Sequence, residues 1–429
     1  MNAASDKDTE QAAPTDTAIG EQDSNNAKQQ GDQLETSRTI CGCACLVDCN
    51  CRCTCACVHH CVCRIRPCER KCGDRFSRNL VISIDGTSNQ FGIHNTNVVE
   101  LHSRIDAKAN QSKYYNCGIG TYVPAQAIFK SMSQWVDHVI DLAFARNFKD
   151  IILQAYKWLS QMYQAGDKIF IFGFSRGAYQ ARALAGMIEK VGLVDIGNEA
   201  MIPLFVPPSG EKKAINKADQ MASNFKRTFS STREGVRIHF AGLWDTVSSK
   251  GVVGGKLLPL TSSAHHICIF RHALALDERR VKFLPEYVAG GGSAQQSTSQ
   301  SASPDVQEVW FPGTHSDIGG GIKENENLNL SSVPLLWMEN EATLAGLRLS
   351  PRKAVGEWNT GDLIKNDMHE SLTCAWWPLE YLPLTRISFK SSQKPTTRIP
   401  HLGAGRIIAP GQRIHISVAF KENYVPRAR

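Results

Sequence analysis

Ser175 stands in Gly173-Phe174-Ser175-Arg176-Gly177, a spacing that makes its hydroxyl a candidate nucleophile. The run before it, Lys168-Ile169-Phe170-Ile171-Phe172, is apolar and rich in strand formers, and Ala178 to Ile188 reads as a helix. A strand that turns sharply into a helix presents the residue at the turn on the carboxyl edge of a sheet. The two glycines suit such a turn, because a Cβ at either place would obstruct it. A plain strand-to-helix turn whose serine only caps the helix fits the same five residues.

A serine needs a base, and the base needs an acid to orient it. Val236-Arg237-Ile238-His239-Phe240-Ala241-Gly242-Leu243-Trp244 alternates like a strand and leads into Asp245. Val309-Trp310-Phe311-Pro312-Gly313-Thr314 leads into His315 and the glycine run Gly319-Gly320-Gly321. Ser175, Asp245 and His315 thus follow one another in an order known for triads of this type, each where a loop leaves a strand. The bland reading of Asp245 is a satisfied carboxylate at a strand end. His315 has rivals in His239, His265, His266, His272, His369, His401 and His415; the glycines beside it favour it by giving close-approach backbone. Asp317 is the runner-up acid and a candidate accessory residue.

These side chains need a sheet to hold them. Leu80-Val81-Ile82-Ser83-Ile84 predicts an early strand, and helical periodicity covers Val136–Phe148, Ile151–Tyr163, Tyr179–Val191 and Val333–Leu347. This alternation predicts an α/β fold, a mostly parallel sheet flanked by helices. About 350 residues follow a cysteine-rich stretch, enough for one large core with insertions, placed at 76–429. An insertion at 196–233 reads either as a cap or lid meeting an acyl chain or as an ordinary helix packed on the sheet. Residues 290–305 are of low complexity and read as a flexible loop.

Several separated motifs resemble one known family. They are Ile84-Asp85-Gly86-Thr87 with Asn95-Thr96-Asn97-Val98-Val99, Tyr114-Tyr115-Asn116-Cys117-Gly118-Ile119-Gly120-Thr121, and the Gly173–Ala178 turn. Gly242-Leu243-Trp244-Asp245-Thr246-Val247, Arg271–Arg280 and Phe311–Gly321 complete the set. From about Asn79 onward the chain resembles the α/β-hydrolase-like catalytic domain of bacterial type VI secretion phospholipase effectors and of uncharacterised fungal proteins. Trp376–Pro383 and Pro400–Gly403 look closest to the fungal branch. The resemblance implies an α/β-hydrolase-like fold, a triad of Ser175, Asp245 and His315, and an ester substrate such as a phospholipid.

Acyl transfer by these residues would leave an oxyanion to stabilise. The backbone N–H of Arg176, at the start of the following helix, is one candidate donor, and Gly86 or Thr87 N–H is the other. Asp85 would steady that loop or the site, or serve only as an Asx-type turn residue. No cofactor is expected for this chemistry.

The N-terminus has a different composition. Residues 1–40 carry eight acidic and three basic side chains and few aromatics, which predicts a disordered tail; with the whole chain at +7, the remainder carries +12. Twelve of fifteen cysteines then fall in 41–75: Cys41, Cys43, Cys45, Cys49, Cys51, Cys53, Cys55, Cys57, Cys61, Cys63, Cys68 and Cys72. Three readings stand for them: a Zn or Cu(I) thiolate site resembling a metallothionein, a palmitoylated anchor beside arginines, or a low-complexity tail. The first forty residues have no apolar secretory core, so an intracellular, cytoplasmic location is expected, with peripheral membrane association as an added reading. The positive remainder suits an anionic lipid face, whereas its dispersed basic residues match no nucleic-acid module. A catalytically inactive scaffold of the same fold and a metal-binding protein are the rival functions.

Overall fold

Seven strands lie side by side in the order β2-β1-β3-β4-β5-β6-β9, every neighbouring pair parallel. They are β1 Asn79–Ile84, β2 Gln111–Asn116, β3 Lys168–Phe174, β4 Ile238–Trp244, β5 Ile267–Ala275, β6 Asp305–Phe311 and β9 Arg413–Ile414. A separate antiparallel pair joins β7 Arg386–Ile387 to β8 Thr396–Thr397. The helices are α1 Asn97–Arg104, α2 Ser133–Met162, α3 Ser175–Val191, α4 Lys212–Phe229, α5 His315–Gly319, α6 Ser332–Leu344 and α7 Trp377–Tyr381. This computed structural model describes residues 77–86, 94–108, 110–117, 133–204, 212–230, 235–247, 264–288, 304–323, 328–352, 368–384, 386–387 and 396–429, all within the unit Arg66–Arg429. The expected tail, the cysteine-rich segment with all its candidate ligands, Thr87 and nearly all of the 290–305 loop lie outside the described residues.

Helices cover both faces, so the central strands are buried on both sides and read as near-continuous apolar runs. On one face Leu80, Ile82, Ile84, Ile169 and Ile171 pack against α2 and α3. On the other, Phe170 and Phe172 of β3 meet Phe240 of β4 at 5.8 and 5.6 Å between ring centroids. There α6 closes the layer, with Trp244 Nε1 donating to the Pro334 carbonyl at 3.3 Å.

One expectation is corrected. The two helices expected over 136–148 and 151–163 are one 30-residue helix, α2, because no glycine or proline interrupts that stretch. β4, whose polar and apolar residues alternate, is buried along its whole length, and His239 is accommodated by a 2.9 Å hydrogen bond to the Ala345 carbonyl. Of the two readings of the 196–233 insertion, α4 fits the ordinary helix: Ala222 is buried in the core beside Phe225 and Phe229, against α3.

β1 lies between β2 and β3, so the chain leaves it to one side and returns on the other. The loops that follow β1 and β3 therefore leave the same carboxyl edge of the sheet in opposite directions, toward α1 and α3. Crevices at such a reversal are where open parallel sheets place their sites. Asp85 follows β1 and Ser175 follows β3.

Candidate active site

Ser175 is the first residue of α3 and sits at φ +58°, a left-handed conformation that serine adopts only when its surroundings impose it. The flanking glycines explain how. A Cβ on Gly173 would lie 2.7 Å from the Ala178 Cα, and one on Gly177 would run into the carbonyl oxygens of Ile84 and Asp85. The turn is therefore wedged between its own helix and the end of β1. Asp245 caps β4 at φ +39°, its N–H still bonded to the Ala273 carbonyl at 2.8 Å. His315 opens α5, a short helix whose entry is held by Asp317 accepting from the Thr314 N–H and hydroxyl at 2.8 and 3.0 Å.

Three parallel strands thus bring three side chains to one edge. The Ser175 hydroxyl lies 2.8 Å from His315 Nε2, and His315 Nδ1 lies 2.5 Å from Asp245 Oδ2. All three residues are buried, Asp245 completely. The imidazole is walled by Phe174 and Phe283, with centroids at 4.7 and 4.9 Å. In this arrangement Nδ1–H donates to the carboxylate, which leaves Nε2 with a lone pair facing the serine.

The electrostatics keep that pairing in one protonation state. Burial would raise the Asp245 carboxyl, but Arg406 and the His315 hydrogen bond outweigh it and hold the group well below the usual carboxylate range. Burial pushes His315 below its ordinary value, with Asp245 opposing, so the ring stays neutral at pH 7. Glu278 is fully buried nearby and accepts the His315 backbone N–H at 3.2 Å. Burial would raise Glu278 too, yet paired Arg280 holds it down at about 2. The Arg280 guanidinium stacks 3.6 Å over Phe283, the ring that walls the imidazole.

Other expected residues divide. Arg176 is half-buried on the first turn of α3, where backbone donors have no acceptor within the helix. Gly86 N–H is directed at the Asp85 carboxylate, 2.6 Å away, and so is engaged rather than aimed at an oxyanion. Asp85 also accepts from the Thr96 hydroxyl at 2.8 Å and the Tyr115 hydroxyl at 2.9 Å, so it ties the β1 loop to α1 and β2. Asp317, the runner-up acid, lies on α5 and accepts from Thr314 and from the His369 N–H at 3.1 Å; it serves the backbone around His315. Among the rival histidines, His272 is held by Glu308 at 3.1 Å and accepts from the Thr246 N–H, and His401 is held by Glu380 at 2.7 Å. Sequence reasoning missed Arg406, Glu278 and Phe283. Glu278 lies within the Arg271–Arg280 motif already noted and Phe283 just beyond it, but nothing in the sequence around Arg406 marks it.

Among the described residues, no group of His, Cys, Asp and Glu could hold a metal, and no helix is long and apolar enough to cross a membrane. A 218-residue stretch is 35% identical to the uncharacterized protein YEL023C of Saccharomyces cerevisiae, covering 48% of this chain and 32% of the yeast protein. The chain thus spans about a third of that relative's length. A crystal structure of an uncharacterized protein from Pseudomonas aeruginosa aligns with 64% of this chain and 47% of its own at 18% identity. Its TM-score of 0.33 is too low for that likeness to carry an argument. Residues 78–341, more than half of the sequence, match the family described as T6SS, Phospholipase effector Tle1-like, catalytic domain. With its motifs and this match in agreement, the chain belongs to the Tle1-like family of phospholipase effector catalytic domains.

Proposed function

We propose that this chain is a serine hydrolase with an α/β-hydrolase-like fold that cleaves carboxylic esters, phospholipids in particular. The observation that carries the reading is the continuous hydrogen-bonded line from Ser175 through His315 to Asp245, built on a serine at positive φ. Family membership supports the phospholipid class.

In the proposed mechanism Ser175 Oγ attacks the ester carbonyl as His315 Nε2 takes its proton. Asp245 orients the ring and stabilises the imidazolium that forms. The carbonyl electron pair moves onto oxygen, where the Arg176 N–H donates from the start of α3. Collapse expels the alcohol, which takes the proton from Nε2 and leaves an acyl-serine. Water, deprotonated by His315, then attacks that ester and releases the carboxylic acid and free Ser175. No cofactor enters either half-reaction. The net positive charge outside the acidic tail supports action at an anionic membrane face within the cell.

The test is labelling by a fluorophosphonate probe, wild type against Ser175→Ala, with turnover of phospholipid vesicles and short-chain esters measured alongside. Labelling that disappears in the variant, with turnover of vesicles, is the expected result. A folded wild-type protein that stays unlabelled, in detergent as well as without it, would instead be a scaffold that keeps the fold.

A further inference from the structure

Arg406 lies 161 residues from Asp245 in sequence and outside the segment that matches the family, yet both its terminal nitrogens reach that carboxylate. Nη1 is 2.5 Å from Oδ1 and Nη2 is 2.9 Å from Oδ2. The fork is gripped from its other side, because Nη1 also donates to the Ala275 carbonyl at 3.2 Å and Nη2 to the Phe283 carbonyl at 2.5 Å. Asp245 Oδ1 takes a further bond from the Ala275 N–H at 3.1 Å. Every other direction of the carboxylate is thereby filled, and Oδ2 keeps one opening, toward His315.

We propose that Arg406 is a positioning residue, whose planar fork clamps the Asp245 carboxylate in the orientation that serves His315 Nδ1. The inference rests on the hydrolase reading above for its consequence, and on geometry for its existence. Two planar groups joined by two bonds cannot rotate independently, as a carboxylate held by a single donor could. The clamp also sets how much negative charge the imidazole feels. Asp245 unpaired would present a whole charge to the ring in a dry site, whereas the adjacent guanidinium cancels much of it. The charged groups around His315 are Asp245 after β4, Glu278 and Arg280 in the segment after β5, and Arg406 behind Asp245. Arg406 is buried like Asp245, so solvent does not screen the pair. Because Nη2 also holds the Phe283 carbonyl, the same residue steadies the ring that walls the imidazole.

The test is a ¹⁵N-histidine NMR titration of the full chain, with His315→Asn used to assign the signal. Wild type is compared with Arg406→Gln, which keeps a donor and loses the charge, and Arg406→Lys, which keeps the charge and loses the fork. Arg406→Gln is expected to make His315 bind its proton about tenfold more tightly. Arg406→Lys is expected to leave that affinity within about twofold of wild type while ester turnover falls by about tenfold. An unchanged His315 in Arg406→Gln overturns the proposal, and so does a tenfold shift in Arg406→Lys. The lysine variant alone decides if the glutamine one does not fold. The titration needs no turnover, so an inert wild type with the expected shifts would sink the hydrolase reading and leave the clamp standing.

Discussion

Gly177 packs its α-carbon against the backbone carbonyl of Asp85, so the helix carrying the nucleophile is seated directly on the end of the neighbouring strand. No side chain fits between them. Gly177→Ala must push α3 away from β1, and the serine moves with it. The expected loss is about 1–3 kcal/mol of stability, as for overpacked cores, together with most of the esterase activity. Denaturation midpoints and probe labelling measured on one preparation check both. A stable and active alanine variant would show that the seat is looser than described.

Removing the nucleophile should remove nearly all chemistry. Ser175→Ala and His315→Ala are each expected to lower kcat by about 10⁶-fold, and the double variant by hardly more, because the residues act as a unit. Asp245→Asn should lose about 10⁴-fold, since the amide favours the wrong tautomer. Steady-state turnover of one ester by wild type and the four variants is the measurement, and additive losses would count against a shared mechanism.

The pH dependence has a definite sign. His315 must be neutral to accept a proton, and burial depresses it below the ordinary histidine value. The acidic limb of kcat/KM is therefore expected below about pH 6.5, the unperturbed position. A limb above it would mean that another group controls the base.

Stability should fall in acid from the same physics. Burial lowers His102, His239, His266 and His415 to about 4. Between pH 6.5 and 4 the unfolded chain binds protons that the folded protein refuses, so unfolding becomes easier as pH drops through that window. Glu278, held at about 2, extends the loss to lower pH. Chemical denaturation at pH 7.5 and pH 5 checks this, with the lower midpoint expected at pH 5.

Glu278 accepts from the backbone N–H of Arg279, Arg280 and His315 and from the Ser371 hydroxyl. Glu278→Gln replaces an acceptor oxygen with a donor and strands some of these groups, for a loss of about 2 kcal/mol. Turnover should fall with it, because the His315 backbone loses an anchor. Thermal melts and ester kinetics of the variant are the check.

Much of this site was legible because chemistry and position coincide in the sequence. Ser175, Asp245 and His315 each follow a strand-like run, and parallel strands must deliver their following loops to one edge. β5 was harder to read, because Arg271 and His272 interrupt its apolar pattern. Both are buried there only because Glu341 and Asp305 neutralise the arginine and Glu308 holds the histidine, partners that no local window contains. Arg406 was invisible for a related reason: its meaning lies in a carboxylate far away in the chain. β9, two residues long, has no period to detect.

Order of synthesis gives the Arg406 contact a temporal meaning. A ribosome adds about 5–20 residues per second, so the guanidinium emerges roughly 10–30 s after the carboxylate it neutralises. Until then β4 ends in an acid that cannot be buried dry without its counter-charge. The nucleophile, base and acid can all be present in a nascent chain that has no means of locking them together. On the proposed hydrolase reading, competence would therefore arrive late in synthesis, only once the segment around Arg406 has docked onto the end of β4.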